Sequence, residues 1–401
     1  MEMTRRVFFG GALATGVTAL AGNGSPKLEK IDGFDENATM PTAGYWEPFS
    51  DKKVRVGIAG NGICQFGKQF IFQTHPNAEV VAVAELDPAK LADLRKATGA
   101  KRAYASCEEM IDKEKELDAV FIATDAPSHA GLAIRALKRG LHVGSCVPAI
   151  CGWDQREQAE EMFELVRKTG LVYAMFETSA FREQAIAMRQ LYRAGAFGEI
   201  VYAEGEYYHE INGQKPLGSY NGWRDGLPPL YYPTHAVGYY TCTTMKRLVE
   251  VSCVGTPSDI PPFKDAANRY KNPFGTEIAL FKTSTGGSMR VGGSWTIPHY
   301  RGEMGRFWGE KGNFRARFYG DPKLAEGVET RPVSLPKSFN NKNYHGGSHG
   351  YLTDDFLRAI LLKRRPIVDV SLGLNTTLAG VYAHRSAMLG SETLKIPLYE
   401  L

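Results

Sequence analysis

The chain has 401 residues, of which 43% are hydrophobic and 23% charged, with a net charge of +4 at pH 7. That length suits two domains better than one, and the composition is that of a globular chain rather than a disordered one. The charge is small and no basic patch stands out, which argues against a nucleic-acid partner.

The first element in the chain is an address signal. Thr4-Arg5-Arg6-Val7-Phe8-Phe9 is a twin-arginine motif, and the short apolar stretch behind it ends in Ala19-Leu20-Ala21, which suits cleavage before Gly22. Residues 1–21 are therefore expected to direct export to the periplasm or beyond. No later segment has the apolar length to span a bilayer. Residues 22–52, rich in Gly, Pro, Asp and Asn, read as a linker or wrapping arm.

Residues 53–176 alternate strand and helix signals. Val54 to Ala59 is a buried strand that ends at Gly60, and a helix is expected after it. Val80 to Ala84 is the next strand. Asp87-Pro88 opens a helix that closes near Gly99. Ser106 and Glu109 form a capping box. A strand over Ala119 to Ala123 and a helix over 129–139 follow, then a strand from His142. A long helix opened by Asp154 and Glu157 leads to a strand over Leu171 to Phe176. Such alternation predicts a parallel α/β Rossmann sheet with right-handed crossovers.

Near residue 177 the pattern changes. After a helix over Phe181 to Ala194, strands dominate: Ile200 to Tyr208, a hairpin of Thr276 to Lys282 with Ser288 to Ser294, and Phe314 to Tyr319. Helices return over Leu352 to Leu362 and Leu372 to Leu389. Residues 177–401 are thus expected to form an α+β substrate domain with a large, mostly antiparallel sheet.

Gly60-Asn61-Gly62 stands where the first strand turns into the first helix. Glycine there lets the backbone approach a pyrophosphate, which the helix amino terminus stabilises. The third glycine of G-x-G-x-x-G falls at Gln65, and Gly67 comes two residues late. Glu85 ends the second strand, where a carboxylate accepts hydrogen bonds from a ribose and repels a 2′-phosphate. These residues predict NAD rather than NADP.

In the second domain, Tyr232-Pro233-Thr234-His235 precedes an apolar run. If a helix starts there, Pro233 fits its first turn and Tyr232 and His235 share a face. A phenol beside an imidazole can orient a sugar hydroxyl and take its proton. The same pair equally suits the capping and packing of a helix. The six cysteines form no C-x-x-C pair, and His345 and His349 are separated by two glycines, so no metal site is expected.

The strings VRVGIAGNG, DAVFIATDAPSHAGLAIRALKRGLHV and VPA resemble the Gfo/Idh/MocA family of glucose–fructose oxidoreductases and inositol dehydrogenases. The resemblance implies that Gly60, Asn61, Gly62, Ile63, Cys64, Glu85, Thr124, Pro127, His129, Cys146, Val147 and Thr178 hold the cofactor. If copies of the chain associate, the sheet of the second domain is the expected surface. Simple dehydrogenases of this kind carry Glu-Lys-Pro after the fourth Rossmann strand, whereas this chain has Cys146-Val147-Pro148. Valine transfers no proton, so another group must serve as the base.

Within that superfamily the chain is similar to the NAD-dependent glycosidases typified by bacterial α-N-acetylgalactosaminidases. The matching strings are Tyr232 to His235, Val147-Pro148-Ala149, Tyr207-x-His209, Trp223-Arg224 and Pro298-His299-Tyr300-Arg301. The likeness implies catalytic roles for His235, Tyr232, His209 and Tyr300, and sugar contacts from Tyr207, Arg224, Tyr232 and Tyr300. It implies transient oxidation of a sugar at C3, elimination across C1–C2, addition of water and re-reduction. A shorter loop between His209 and Arg224, and Thr178 in place of an Asn, leave the sugar itself open. A sugar oxidoreductase and a non-catalytic NAD-binding protein are the competing readings.

Overall fold

The computed structural model describes residues 44–210, 218–298, 301–340 and 345–401. The expected twin-arginine segment and cleavage point, most of the expected arm, and Tyr300 lie outside the described residues.

The first domain runs β1 (Val54–Ala59), α1 (Phe66–Gln69), β2 (Ala78–Ala84), α2 (Pro88–Thr98), β3 (Arg102–Tyr104), α3 (Cys107–Lys113), β4 (Ala119–Ile122), α4 (His129–Lys138), β5 (His142–Ser145), α5 (Arg156–Thr169) and β6 (Tyr173–Met175). Its six strands are all parallel, in the order β3-β2-β1-β4-β5-β6. This is the doubly wound order, and its direction reverses between β1 and β4, which opens a crevice at their carboxyl ends. The strands are apolar almost throughout because helices cover both faces; every residue of β4 is buried. Helix ends follow from local chemistry. Asp87 accepts from the N–H groups of Ala89 and Lys90, Pro88 fills the first turn, and Gly99 closes α2 in the left-handed region.

Two expectations are corrected, and one strand is additional. The helix after β1 is a single turn of four residues, because Gln65 and Ile71 on either side adopt left-handed backbone. A 3-10 turn (Trp153–Gln155) comes before α5, which has no side-chain cap, so Asp154 does not open that helix. The three-residue edge strand β3 is too short to show a period-2 pattern and was not anticipated.

The second domain contains α6 (Glu183–Arg193), β7 (Ile200–His209), α7 (Thr234–Thr244), β8 (Leu248–Pro257), β9 (Phe274–Thr283), β10 (Ser288–Ser294), β11 (Arg301–Gly309), β12 (Gly312–Phe314), β13 (Phe318–Gly320), α8 (Ser348–Leu361), α9 (Val370–Met388) and β14 (Leu394–Lys395). Its sheet has the order β13-β12-β11-β7-β10-β9-β8-β14. Only β7 and β10 pair in parallel; every other pair is antiparallel. The strand expected over Phe314 to Tyr319 is instead a tight hairpin, since the chain reverses at Ala316 with φ +83°. β11 escaped notice because its sequence, RGEMGRFWG, lacks β-branched residues.

Helix α7 is buried along its whole length and lies directly on this sheet. The approach is close enough that a Cβ on Gly205 of β7 would sit 2.1 Å from the Ala236 carbonyl oxygen. This contact sets His235 over the inner face of the sheet, opposite Tyr207. Farther off, the Asp354 carboxylate of α8 accepts from Trp46 Nε1 at 2.7 Å and from Arg358 Nε at 2.7 Å, and contacts His75 Nε2 at 3.1 Å. The Asn77 N–H donates to His75 Nδ1, so His75 carries its proton on Nε2 and donates it to Asp354.

Candidate active site

A cleft of about 1180 Å³ opens at the switch point between β1 and β4 and runs from Glu85 to Arg224 and Tyr232 of the second domain. Gly60, Asn61, Gly62, Ile63, Cys64, Glu85, Thr124, His129, Cys146 and Val147 all line it. Gly60 has φ +98°, and a Cβ there would lie 2.3 Å from the Ala123 carbonyl oxygen. Gly67 takes the close-packing role of the missing third glycine: its Cβ would fall 2.2 Å from the Gly60 carbonyl oxygen. Over Gly62 nothing comes within 4 Å, which leaves room for a pyrophosphate.

Glu85 accepts from Asn61 N at 2.6 Å, Leu86 N at 2.8 Å and Asp87 N at 3.2 Å. A carboxylate offers about four acceptor positions, so one remains for a ribose hydroxyl. These residues fit NAD. The one-turn α1 contributes little macrodipole, so exposed backbone N–H groups must carry most of the phosphate contact.

Two of the expected cofactor residues stand elsewhere. Pro127 is off the cleft wall, and its carbonyl accepts from Gln155 Nε2 at 2.7 Å. Thr178 lies beside His235, its Oγ1 3.5 Å from Nδ1, rather than on the nucleotide cleft. His129 lines the cleft but is buried, its Nδ1 3.0 Å from the Pro148 carbonyl oxygen. It ties the β4 loop to the Val147-Pro148 turn.

At the inner end of the cleft the aromatic residues converge. Tyr207 lies 4.8 Å from His235, 6.0 Å from Tyr232 and 5.9 Å from His209, ring centre to ring centre. Tyr232 and His235 are 5.5 Å apart. Tyr232 is not on the helix: it sits in the turn ahead of it, with Pro233 as the capping residue of α7. The pair is brought together by that turn and not by helical spacing. The Arg224 guanidinium packs over Trp223 at 4.2 Å and faces Tyr232 at 5.9 Å.

The sequence reading missed the group that governs His235. Glu177, fully buried just past β6, places Oε1 2.8 Å from His235 Nδ1. A carboxylate accepts only, so Nδ1 carries the proton and Nε2 keeps its lone pair. Burial disfavours the imidazolium, but the charge and hydrogen bond of Glu177 outweigh it, and the His235 pKa lies above its ordinary value. Burial likewise acts to raise the Glu177 pKa, and the His235 contact holds it below the usual carboxylate range. Desolvation pushes the Tyr232 phenol well above its usual pKa, so it acts as a neutral hydrogen-bonding group. Behind the dyad, Arg182 and Ser179 Oγ both bond Glu303 of β11. The only signal for Glu177 was a carboxylate at the carboxyl end of an apolar strand.

Among the described residues no cluster of His, Cys, Asp and Glu could hold a metal ion, and no helix is long and apolar enough to cross a membrane.

Residues 54–177 match GFO_IDH_MocA, the oxidoreductase family with an NAD-binding Rossmann fold. A glycosyl hydrolase family 109 protein of Bacteroides thetaiotaomicron is 25% identical over 348 residues, covering 80% of this chain and 71% of that protein. A counterpart from Bacteroides fragilis is 31% identical over 202 residues, covering 46% of this chain and 42% of that protein. Scyllo-inositol dehydrogenase from Lactobacillus casei, solved with NAD(H) and scyllo-inositol, superposes with a TM-score of 0.66 at 18% identity, covering 86% of this chain and 99% of that one.

Proposed function

We infer, for a chain whose Rossmann domain belongs to the Gfo/Idh/MocA oxidoreductase family, that this is an NAD-dependent enzyme acting on a sugar, and that its reaction is glycoside cleavage. The observation that carries the reading is the His235–Glu177 dyad, placed behind Tyr232 at the end of the nucleotide cleft. The relatives named as glycosyl hydrolases support the finer part of it.

Bound NAD would supply reversible hydride acceptance at a sugar carbinol carbon. The chain's own residues do the rest. His235 Nε2 takes the proton of the reacting hydroxyl, and Glu177 holds the ring in the productive tautomer and stabilises the imidazolium that results. Val147 stands in the cleft where a simple dehydrogenase carries its lysine, so that proton has no competing acceptor there. Tyr207 and His209, on the inner face of β7 with their rings 5.9 Å apart, are the candidates for the second proton transfer that elimination across C1–C2 requires. Tyr300 remains a candidate by its sequence alone. Arg224 and Trp223 form the wall against which a sugar ring would rest.

Turnover of aryl glycosides in deuterium oxide tests this. Deuterium at C2 of the released sugar, with no net oxidation, is expected. Hydrolysis without C2 deuterium would refute elimination, because displacement at C1 never touches that hydrogen. An oxidised sugar with its aglycone still attached would favour the oxidoreductase alternative.

The twin-arginine segment fits export with the cofactor already loaded, since free nicotinamide is scarce outside the cytoplasm. The outer face of the second sheet carries Val254 and Leu280, 60% and 57% exposed, on β8 and β9, and across β10 the paired rings of Tyr202 and Trp308. Such a face suits association with a second copy of the chain.

A further inference from the structure

Two glycines and a serine separate His345 from His349 in the sequence. The fold brings both to the junction of the two domains. The His345 ring lies 5.5 Å from Phe66 of the nucleotide loop and 6.5 Å from His235, with the two imidazole planes within 22°. His349 stacks on Phe70 at 4.1 Å.

Their hydrogen bonds fix the tautomers. His349 Nδ1 is 3.2 Å from the Gln69 carbonyl oxygen, and His349 Nε2 is 3.0 Å from His345 Nδ1. A carbonyl only accepts, so His349 holds its proton on Nδ1 and presents a lone pair at Nε2. His345 must then donate from Nδ1, which leaves its Nε2 as an acceptor. Among the described residues, Nε2 of His345 has no hydrogen-bond partner. The titratable and charged groups around it are His235, Glu303, Arg182 and Glu177. Burial and the neighbouring His235 bring the His345 pKa down to about 4, and burial and His345 bring His349 down to about 3, so both are neutral at physiological pH.

We propose that His345 is a substrate-contacting residue, whose Nε2 accepts a hydrogen bond from a substrate hydroxyl held beside His235, with His349 as the positioning residue that fixes its tautomer. The proposal rests on the sugar-acting reading of the site. It gives the two imidazoles different tasks: His235, backed by a carboxylate, exchanges protons, while His345, backed by a neutral relay, reads a hydroxyl group.

The test has two arms. In the first, histidine-selective ¹⁵N labelling of the NAD-loaded enzyme and long-range ¹H–¹⁵N spectra between pH 6 and 9 report the tautomers directly. Neutral Nδ1–H forms are expected for His345 and His349, and an Nε2–H form of His345 overturns the proposal. In the second, steady-state kinetics with an aryl glycoside compare His345→Ala with His345→Gln, whose amide oxygen accepts a hydrogen bond but takes up no proton. The alanine variant should raise KM about tenfold to a hundredfold while NAD retention is unchanged, and the glutamine variant should recover most of that loss. An unchanged KM in His345→Ala overturns the proposal. A wild-type enzyme inert towards every aryl glycoside overturns the reading of the activity instead, and the tautomer arm still decides the role of His345.

Discussion

Glu177 Oε1 lies 2.8 Å from His235 Nδ1, a bond that joins the residue just past the last Rossmann strand to the first turn of the helix on the substrate sheet. In the proposed mechanism, both domains therefore contribute to the acid–base pair. Its pH behaviour follows. His235 must be neutral to accept a proton, and its pKa is raised, so kcat/KM should rise with pH through a limb above the ordinary histidine value. Glu177→Gln keeps a hydrogen-bond acceptor but removes the charge, so the limb should move to lower pH and kcat should fall about 10²- to 10⁴-fold. His235→Ala should abolish turnover and leave NAD bound, with Tyr232→Phe milder. A pH–rate profile of each variant, with NAD quantified after heat release, checks all three.

Gly60 and Gly62 should fail in different ways. Alanine at Gly60 would meet the Ala123 carbonyl oxygen at 2.3 Å from a left-handed backbone, so Gly60→Ala should lower Tm and lose the cofactor. Alanine at Gly62 meets no protein atom within 4 Å. Gly62→Ala should fold with Tm nearly unchanged in the apo form, yet bind NAD at least about tenfold more weakly, because its methyl group occupies the space a pyrophosphate needs. Thermal unfolding of apo protein beside a calorimetric NAD titration separates the two.

Glu85 should set the choice between dinucleotides. Its carboxylate, held by three backbone N–H groups, faces the place of the adenosine ribose. Glu85→Ser removes the charge that repels a 2′-phosphate, so the ratio of NADP to NAD dissociation constants should fall about tenfold or more. An unchanged ratio, measured by fluorescence titration with both reduced cofactors, would move the discrimination elsewhere in the cleft.

Asp354 should be a stability residue. Its carboxylate is fully buried between Trp46, His75 and Arg358. Burial acts to raise its pKa, and the His75 hydrogen bond and Arg358 charge bring it below the ordinary value. A carboxyl group with a depressed folded pKa stabilises the fold above its unfolded pKa, near about 4, and loses that contribution as pH falls through the folded value. Asp354→Ala should cost about 3–5 kcal/mol at neutral pH, since the buried His75 and Trp46 N–H donors lose their acceptor and the partly buried Arg358 loses its counter-charge. Denaturant unfolding of both proteins at pH 7 and again below pH 4 should show the difference shrinking in acid.

The sequence disclosed the parallel sheet because buried strands and amphipathic helices differ in period, and caps such as Asp87 and Gly99 mark the ends chemically. It disclosed the Tyr232–His235 string because four residues kept their order. It could not disclose Glu177, Glu303 or His345. Each meets a residue distant in the chain: Glu177 lies 58 positions from His235, Glu303 bonds Arg182, and His345 comes beside His235. Nothing local marks such a residue. The role of Gly67 was hidden for another reason. A single-turn helix let a glycine two places late reach the same contact, and spacing rules assume a regular helix.

The placement of Trp46 reaches beyond the stability of one carboxylate. Trp46 precedes the Rossmann domain, donates to Asp354 on α8, and its backbone N–H bonds the Ser334 carbonyl at 3.0 Å. The segment before the nucleotide domain is thus stitched to the stretch of the second domain between β13 and β14. Cutting the chain after β6 would not release two self-sufficient modules, since each half would expose a surface built to receive the other. Heated or treated with denaturant, the two domains should melt in one cooperative step. A synthetic Rossmann fragment should stay aggregation-prone until residues from the far end of the chain are supplied in trans.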